Sequence, residues 1–345
     1  IEAQLRTWLK SGFQLLSIND FTGQGYAPVG ILDPFWNSKG LITPEKFREF
    51  CAPTVALLRF PQRSYYNDEV FTGKAEIYNY SLSTLKNAKF KWWVTDKDGK
   101  VLKSGKLKTQ NIGNNGVFPA GEFRYALNGI AAPQKLTVHL SVNHTINNSW
   151  DIWVYPRRDL KELMQSTADV LYTTVFDAKA KRFLEEGKKV VLCPMPAKVK
   201  GRSSNFHNHF WNPIMFKWKP MTLGCLIHTD KGMFDDFVTE KHLDWQWWDI
   251  LAHAKVIEMD EAPRQLRPFI QVIDSYETNH KLGIGFEAKV GNGKLVVLAL
   301  DTKKEMEKRP ATQQLLVSID RYVKSDRFSP QVKVEESFIE SFLRK

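Results

Sequence analysis

Ile18-Asn19-Asp20-Phe-Thr-Gly23-Gln24-Gly25 is the stretch whose residue types and spacing most invite chemistry. Asn19, Asp20 and Gln24 bring two amides and a carboxylate directly after the apolar run Phe13-Gln-Leu-Leu-Ser-Ile18, which reads as a short strand covered on both faces. Polar groups at the carboxyl end of a buried parallel strand are fixed by the strand and open onto a loop, the position from which α/β barrels contact substrates. Trp36, in Leu32-Asp-Pro-Phe-Trp36, is a candidate stacking wall beside them. The plainer reading is that Asn19 and Asp20 only cap a loop.

Three other groupings point to chemistry less strongly. His207-Asn-His209 places two imidazoles on alternate residues, where a strand would aim both at one metal ion, but no third ligand lies at a telling distance, so a polar loop is the simpler reading and no metal is assigned. A nucleophilic Cys193 would need a sharp glycine turn and a base, whereas Cys193-Pro-Met-Pro supplies prolines. Asp244-Trp-Gln-Trp-Trp-Asp249 has faces suited to sugar rings or bases. In a helix, however, Leu243, Trp247 and Leu251 share one side and Trp245, Trp248 and Ala252 another, which describes a buried or domain-interface helix.

The elements that must position these residues change character along the chain. Residues 1–58 read as helix, buried strand, long loop and helix. The chain opens inside an amphipathic pattern (Ile1, Leu5, Trp8, Leu9), and Thr43-Pro44 caps a later helix carrying Phe47 and Phe50. One βα unit cannot cover its own strand, so this segment is expected to be the last part of an α/β domain whose remainder lies upstream. Residues 59–156 alternate in short segments separated by Asp98-Gly99, Asn114-Asn-Gly116 and Pro119-Ala-Gly121, the pattern of an immunoglobulin- or fibronectin-type β-sandwich. Residues 157–345 alternate helix and strand signals, which predicts a three-layer α/β domain. Val290-Gly-Asn-Gly-Lys294 should turn a hairpin there, a helix should run from Ala311 to Lys324, and the charged tail should dock loosely.

Composition narrows the classes. At 345 residues, 43% hydrophobic and 25% charged, the chain is long enough for two or three packed domains, and no apolar run approaches the roughly 18 residues of a membrane helix. Cys51, Cys193 and Cys225 form neither a disulfide framework nor a zinc site, and read as small buried apolar residues. The net charge of +11 is read as a basic surface, since the lysines between Lys86 and Lys108 fall on outward strand positions where lysine resists mispairing. No nucleic-acid motif accompanies them, so neither nucleic acid nor membrane is expected as a partner, and no cofactor is expected.

Gly12-Phe-Gln-Leu-Leu-Ser-Ile-Asn-Asp-Phe-Thr-Gly-Gln-Gly25, followed by Val29-Gly-Ile-Leu-Asp-Pro-Phe-Trp-Asn-Ser-Lys-Gly40, resembles the eighth strand and loop of the (β/α)8 catalytic domain of glycoside hydrolase family 2. That family is the β-galactosidase and β-glucuronidase clan, and the likeness is to large Bacteroidetes homologues. Asn208-His-Phe-Trp-Asn-Pro213, Asp244-Trp-Gln-Trp-Trp-Asp249 and Arg267-Pro-Phe-Ile-Gln-Val-Ile-Asp274 resemble their C-terminal region, so the likeness extends to about residue 324. It implies a retaining exo-glycosidase whose two glutamates lie on the fourth and seventh barrel strands, upstream of Ile1. This chain would then lack the catalytic pair, would contribute one wall of the sugar site, and would have as partners a carbohydrate substrate and the upstream part of the same enzyme. Asn19, Asp20 and Gln24 would line the pocket. Many members carry a tryptophan where this sequence has Leu16, and Trp36 would take over the stacking role. The resemblance also implies export to the periplasm or outside a bacterial cell. Its last domain is similar to amidotransferase- or flavodoxin-like domains without their enzyme relatives' Gly-x-Cys-x-Gly elbow. The alternative is a non-catalytic carbohydrate-binding or interaction module.

Overall fold

The computed structural model describes residues 1–7, 13–15, 17–21, 30–206, 222–275 and 278–344, and in it the chain is β-rich with few helices. It divides into two units, one of residues 1–130 and 134–152, the other of 131–133 and 153 onward.

The first unit begins with two short helices, α1 (Glu2–Leu5) and α2 (Pro44–Phe50), followed by eight strands. These are β1 (Thr54–Arg59), β2 (Ser64–Tyr66), β3 (Val70–Asn79), β4 (Leu85–Thr95), β5 (Val101–Ile112), β6 (Gly116–Ala126), β7 (Gln134–Val142) and β8 (Ile146–Tyr155). They form a three-stranded sheet, β1-β3-β6, and a five-stranded sheet, β2-β8-β7-β4-β5. The sheets face each other because alternation sends one set of side chains from each toward the other. Phe71, Ala75 and Ile77 of β3 and Ala88, Phe90, Trp92 and Val94 of β4 are buried, and Trp92 stacks on Phe123 of the opposite sheet at 4.4 Å. Pro119-Ala-Gly121, read from sequence as a turn, lies inside β6. There the register to β3 shifts at Ala75/Glu76 and Gly121 takes a positive φ, so the turn residues make a bulge.

Residues 1–58 do not stand apart from this sandwich. The boundary expected at 58 falls within β1, and Leu5 of α1 packs against Val55 and Leu57. Thr43 caps α2 as expected, accepting a hydrogen bond from the amide of Lys46 at 3.2 Å. The buried strand expected over 13–18 is a correction: its described residues form no strand, and Phe13, Leu15 and Ile18 are exposed. A strand persists only when neighbours accept its hydrogen bonds, and among the described residues the segment carries isolated bridges at Asn19, parallel to Leu32, and at Phe21 in place of a ladder. The described residues of this segment therefore show no barrel-type βα unit.

The second unit is built on one mixed sheet. Its strands are β9 (Val170–Thr173), β10 (Lys189–Leu192), β11 (Arg202–Ser203), β12 (Gly224–Ile227), β13 (Lys255–Glu258), β14 (Ile270–Ile273), β15 (Leu282–Val290) and β16 (Gly293–Leu298). Their order is β11-β13-β15-β16-β10-β9, with β14 also paired to β15 and β12 to β14. β9, β10 and β16 run parallel, while β16 returns from β15 through the expected hairpin, where Gly291 supplies the positive φ. Alternate residues of β16 enter different cores. Val296 and Leu298 join the one containing α4 (Trp247–Ala252) and α5 (Pro310–Lys324). Leu295 and Val297 join the one containing α3 (Ala178–Glu185) and α6 (Glu336–Ser341). Helices thus cover both faces. The tail expected to dock loosely does not: Phe338, Ile339 and Phe342 are buried in that second core.

Candidate functional site

The site indicated by sequence forms where residues 17–20 meet 30–39. Backbone bonds tie the two pieces, from the amides of Ile31 and Leu32 to the carbonyl of Ile18 at 2.9 and 3.0 Å and from the amide of Asp20 to the carbonyl of Leu32 at 3.0 Å. Gly30 is required by this approach. A Cβ there would lie 2.2 Å from the backbone carbon of Asn19 and 2.4 Å from the amide nitrogen of Asp20.

Asp20 is only 3% exposed, and its carboxylate is fully engaged. Oδ1 accepts the Gly30 amide at 2.8 Å, and the Lys39 ammonium lies 2.9 and 3.1 Å from the two oxygens while also donating to the Gly30 carbonyl at 2.9 Å. A buried carboxylate paired and hydrogen-bonded in this way holds a loop in place. The amide side chain of Asn19 is likewise occupied, accepting from the Ser17 hydroxyl at 2.8 Å and donating to the Asp20 carbonyl at 3.2 Å. The side chains of the two residues expected to meet substrate thus make hydrogen bonds within the segment itself.

Residues 33–37 form a turn. Asp33 Oδ1 accepts the amides of Phe35 and Asn37 at 2.8 and 2.9 Å, Oδ2 accepts the Asn37 side chain at 3.1 Å, and Trp36 sits at φ 69°. Although desolvation works the other way, these hydrogen bonds hold the Asp33 carboxyl below its usual range. The turn leaves Phe35 83% and Trp36 64% exposed, so the residue expected as a stacking wall is presented to solvent. Gln24 lies outside the described residues, as do Leu16, His207 and His209. Lys39, Gly30 and Asp33 were missed in the sequence. The Asp-Pro pair at 33–34 was a signal for the turn, while nothing marked Lys39 as the partner of a residue 19 positions away.

Elsewhere the described residues offer less chemistry. A cavity of about 590 Å³ opens in the second unit at the carboxyl ends of β9 and β10, lined among others by Met164, Tyr172, Thr173, Cys193, Lys303 and Leu316. Burial pushes the Cys193 thiol up to about 12, so it stays protonated and unreactive, and Cys225 behaves alike. Among the described residues, no group of three His, Cys, Asp or Glu side chains is gathered to hold a metal ion. Among the described residues no helix is long and apolar enough to cross a membrane. The tryptophan-rich segment, expected as a buried or domain-interface helix, is buried on one side alone. Trp247 is buried and donates to the Thr239 hydroxyl at 2.9 Å, whereas Trp245 and Trp248 are 51% and 55% exposed, each with its ring against Phe206 at 5.2 and 5.6 Å.

The second unit is where the chain's kinship lies. The family model described as Domain of unknown function (DUF8487) matches residues 171–344, just over half of the chain, and the chain belongs to that family. A second model, Domain of unknown function (DUF8488), matches residues 69–156, most of the sandwich. No curated protein matches. Among solved structures, a DNA-bound alkylpurine DNA glycosylase from Pseudomonas fluorescens is 14% identical over 30% of this chain and 31% of its own, with a TM-score of 0.26. The CARDB domain of a Pyrococcus furiosus protein is 10% identical over 30% of this chain and 96% of its own, with a TM-score of 0.25. An Escherichia coli α2-macroglobulin activated by porcine elastase is 19% identical over 35% of this chain and 10% of its own, also at 0.25. Likenesses of this size carry no functional argument.

Proposed function

We propose that the chain is the non-catalytic, sugar-facing part of a carbohydrate-active protein of the glycoside hydrolase family 2 type. In this reading Asn19, Asp20, Gln24 and Trp36 belong to one wall of the sugar site, within the segment that runs to about residue 41, and the two catalytic glutamates come from upstream α/β structure. The observation that carries the proposal is the inverted character of this segment. Its carboxylate Asp20 is buried and paired, while Phe13, Leu15, Ile18, Phe21, Phe35, Trp36 and Leu41 are exposed. Large apolar side chains grouped on one short segment mark a surface that is covered or occupied in use. The last βα portion of a (β/α)8 barrel would be covered by its neighbouring strands and helices, and the fixed turn at Trp36 would stay open to a sugar ring.

Retaining hydrolysis of an O-glycosyl bond needs two carboxyl groups about 5 Å apart on opposite sides of the bond. Asp20 is unsuited to either role because Lys39 and Gly30 occupy its oxygens. The finer architecture is part of the same proposal: an immunoglobulin-like sandwich followed by an amidotransferase- or flavodoxin-like domain. Its support is the pair of facing sheets and the helices on both faces of β9, β10 and β16, with Cys193 followed by prolines in place of a glycine elbow.

The test has two arms. The isolated chain should not hydrolyse aryl β-glycosides, and robust turnover abolished by one carboxylate substitution within it would overturn the proposal. The reading frame upstream of Ile1 should encode a barrel with two suitably placed glutamates, and a stop codon there would be equally fatal. The half-exposed Trp245 and Trp248 favour a second reading, a stand-alone carbohydrate-binding module. Affinity electrophoresis of Trp245→Ala with Trp248→Ala tests that reading, which requires loss of retardation in a polysaccharide gel.

A further inference from the structure

The five-stranded sheet carries a concentration of positive charge on its solvent side. Between Lys86 and Lys108 there are eight lysines, two acids and no arginine. On β4, Ala88, Phe90 and Trp92 point into the sandwich, so Lys89 and Lys91 point out. On β5, Gly105 faces the Trp92 side chain and Leu107 pairs with Phe90, so Lys106 and Lys108 share the outer face with Lys89 and Lys91. Lys91 and Lys106 stand directly opposite each other in the register. The four lysines thus spring from a stretch of backbone about 7 Å along the strands and about 5 Å across them, with Lys89 and Lys108 at the register shift between Ala88 and Phe90.

Like charges placed opposite each other destabilise a sheet. The acids of the segment do not relieve them. Asp98 pairs with Lys97, and Asp96 accepts the backbone amides of Asp98 and Lys100. Among the described residues, no carboxylate lies within ion-pair distance of Lys89, Lys91, Lys106 or Lys108. Beside the patch on the same face lies an aromatic platform. Trp93 stands opposite His139 in the register and stacks on it at 4.8 Å with the planes 2° apart, and the Lys91 ammonium lies 5.5 Å from the Trp93 ring.

We infer that this face, the Lys89-Lys91-Lys106-Lys108 patch with the Trp93-His139 stack, is a binding surface for an acidic polysaccharide, sulfated or carboxylated. Anionic groups meet the unpaired ammonium ions, and one sugar ring meets the aromatic edge of the patch. A nucleic acid fits less well. Successive bases call for a row of separate aromatic platforms, whereas here there is one stack. The choice of a glycan rests on the proposed function.

The test uses the full chain and three polymers, dextran sulfate, polygalacturonate and neutral dextran, with a single-stranded DNA oligonucleotide as competitor. One variant carries Lys89→Gln, Lys91→Gln, Lys106→Gln and Lys108→Gln. A control removes the same charge elsewhere through Lys74→Gln, Lys161→Gln, Lys179→Gln and Lys241→Gln. The patch variant should weaken binding to dextran sulfate or polygalacturonate at least tenfold while the control changes it less than twofold, and added salt should weaken the parent chain steeply. The two polymers distinguish sulfate from carboxylate as the favoured group. Equal weakening in patch variant and control would overturn the inference in favour of bulk charge, and so would tighter binding of the oligonucleotide. Binding of neutral dextran alone would overturn the inference and leave the carbohydrate reading standing, whereas binding of no polysaccharide would count against both.

Discussion

Asp20 in the first unit and Asp274 in the second are built from similar parts. Each is a nearly buried aspartate, 3% and 6% exposed, whose carboxylate accepts a backbone amide and pairs with one cation, Lys39 for Asp20 and Arg202 for Asp274. Their surroundings differ. Asp274 follows β14 and gathers the amides of Ser275 and His280 and the hydroxyl of Thr278, within a sheet whose apolar residues are covered on both faces. Asp20 ties together loops whose large apolar side chains face solvent. A polar knot inside a packed body adds to a stability the hydrophobic core already provides. The same knot in an uncovered segment is itself the main local restraint, so its loss should be felt locally.

The largest expected effect is at Asp274. Asp274→Ala leaves the Ser275 and His280 amides and the Thr278 hydroxyl without their acceptor and Arg202 with Glu258 as its remaining carboxylate, and should cost about 3–5 kcal/mol in urea denaturation followed by tryptophan fluorescence. A loss below about 1 kcal/mol would break the comparison. Asp20→Asn comes next. It should cost about 1–3 kcal/mol in local opening, seen as faster exchange of the Ile31 and Leu32 amides, with the global transition moved by less than about 0.5 kcal/mol. A global shift as large as that of Asp274→Ala would show that the two knots are equivalent after all.

Acid sharpens the contrast. Burial alone would raise the Asp274 carboxyl, but the hydrogen bonds from His280, Thr278 and Ser275 and the Arg202 charge outweigh it and hold the group below the usual range. A depressed carboxyl contributes stability that is present above the unfolded value of about 3.9 and lost as pH falls through the folded value. Asp274→Asn should therefore flatten the acid limb of a stability-pH profile, and an unchanged limb would remove Asp274 from the account. The smallest effect is expected at Trp36. Trp36→Ala should change the stability of this chain by less than about 0.5 kcal/mol, because the ring is exposed on a turn held by Asp33. A larger loss would mean that the ring is part of a packed core.

The sandwich was legible because its strands alternate at period two, through all of β3 and the greater part of β4 and β7. Local chemistry also identified the caps and hairpin, as at Thr43 and Gly291. It misled at Pro119-Ala-Gly121, since the same residues serve a turn and a bulge, and the β3 partner selects between them. It misled again at the tail, where charge drew attention from the apolar positions Phe338, Ile339 and Phe342. The candidate site was half legible. The Asn19, Asp20 and Trp36 neighbourhood stands out by residue type, but the inward turn of the first two depends on Lys39 and Gly30, which are distant in sequence.

By itself the sequence determined the alternation of the sandwich strands, the cap at Thr43 and the hairpin at Gly291, because those preferences act over a few neighbouring residues. Tertiary structure alone decided that Asp20 would be spent on Lys39, that the 13–18 run would lack a ladder, and that four lysines would share one face of a sheet. Each depends on which distant segments lie side by side, and a buried charge, an unpaired strand or a row of like charges acquires its energy only from that neighbour.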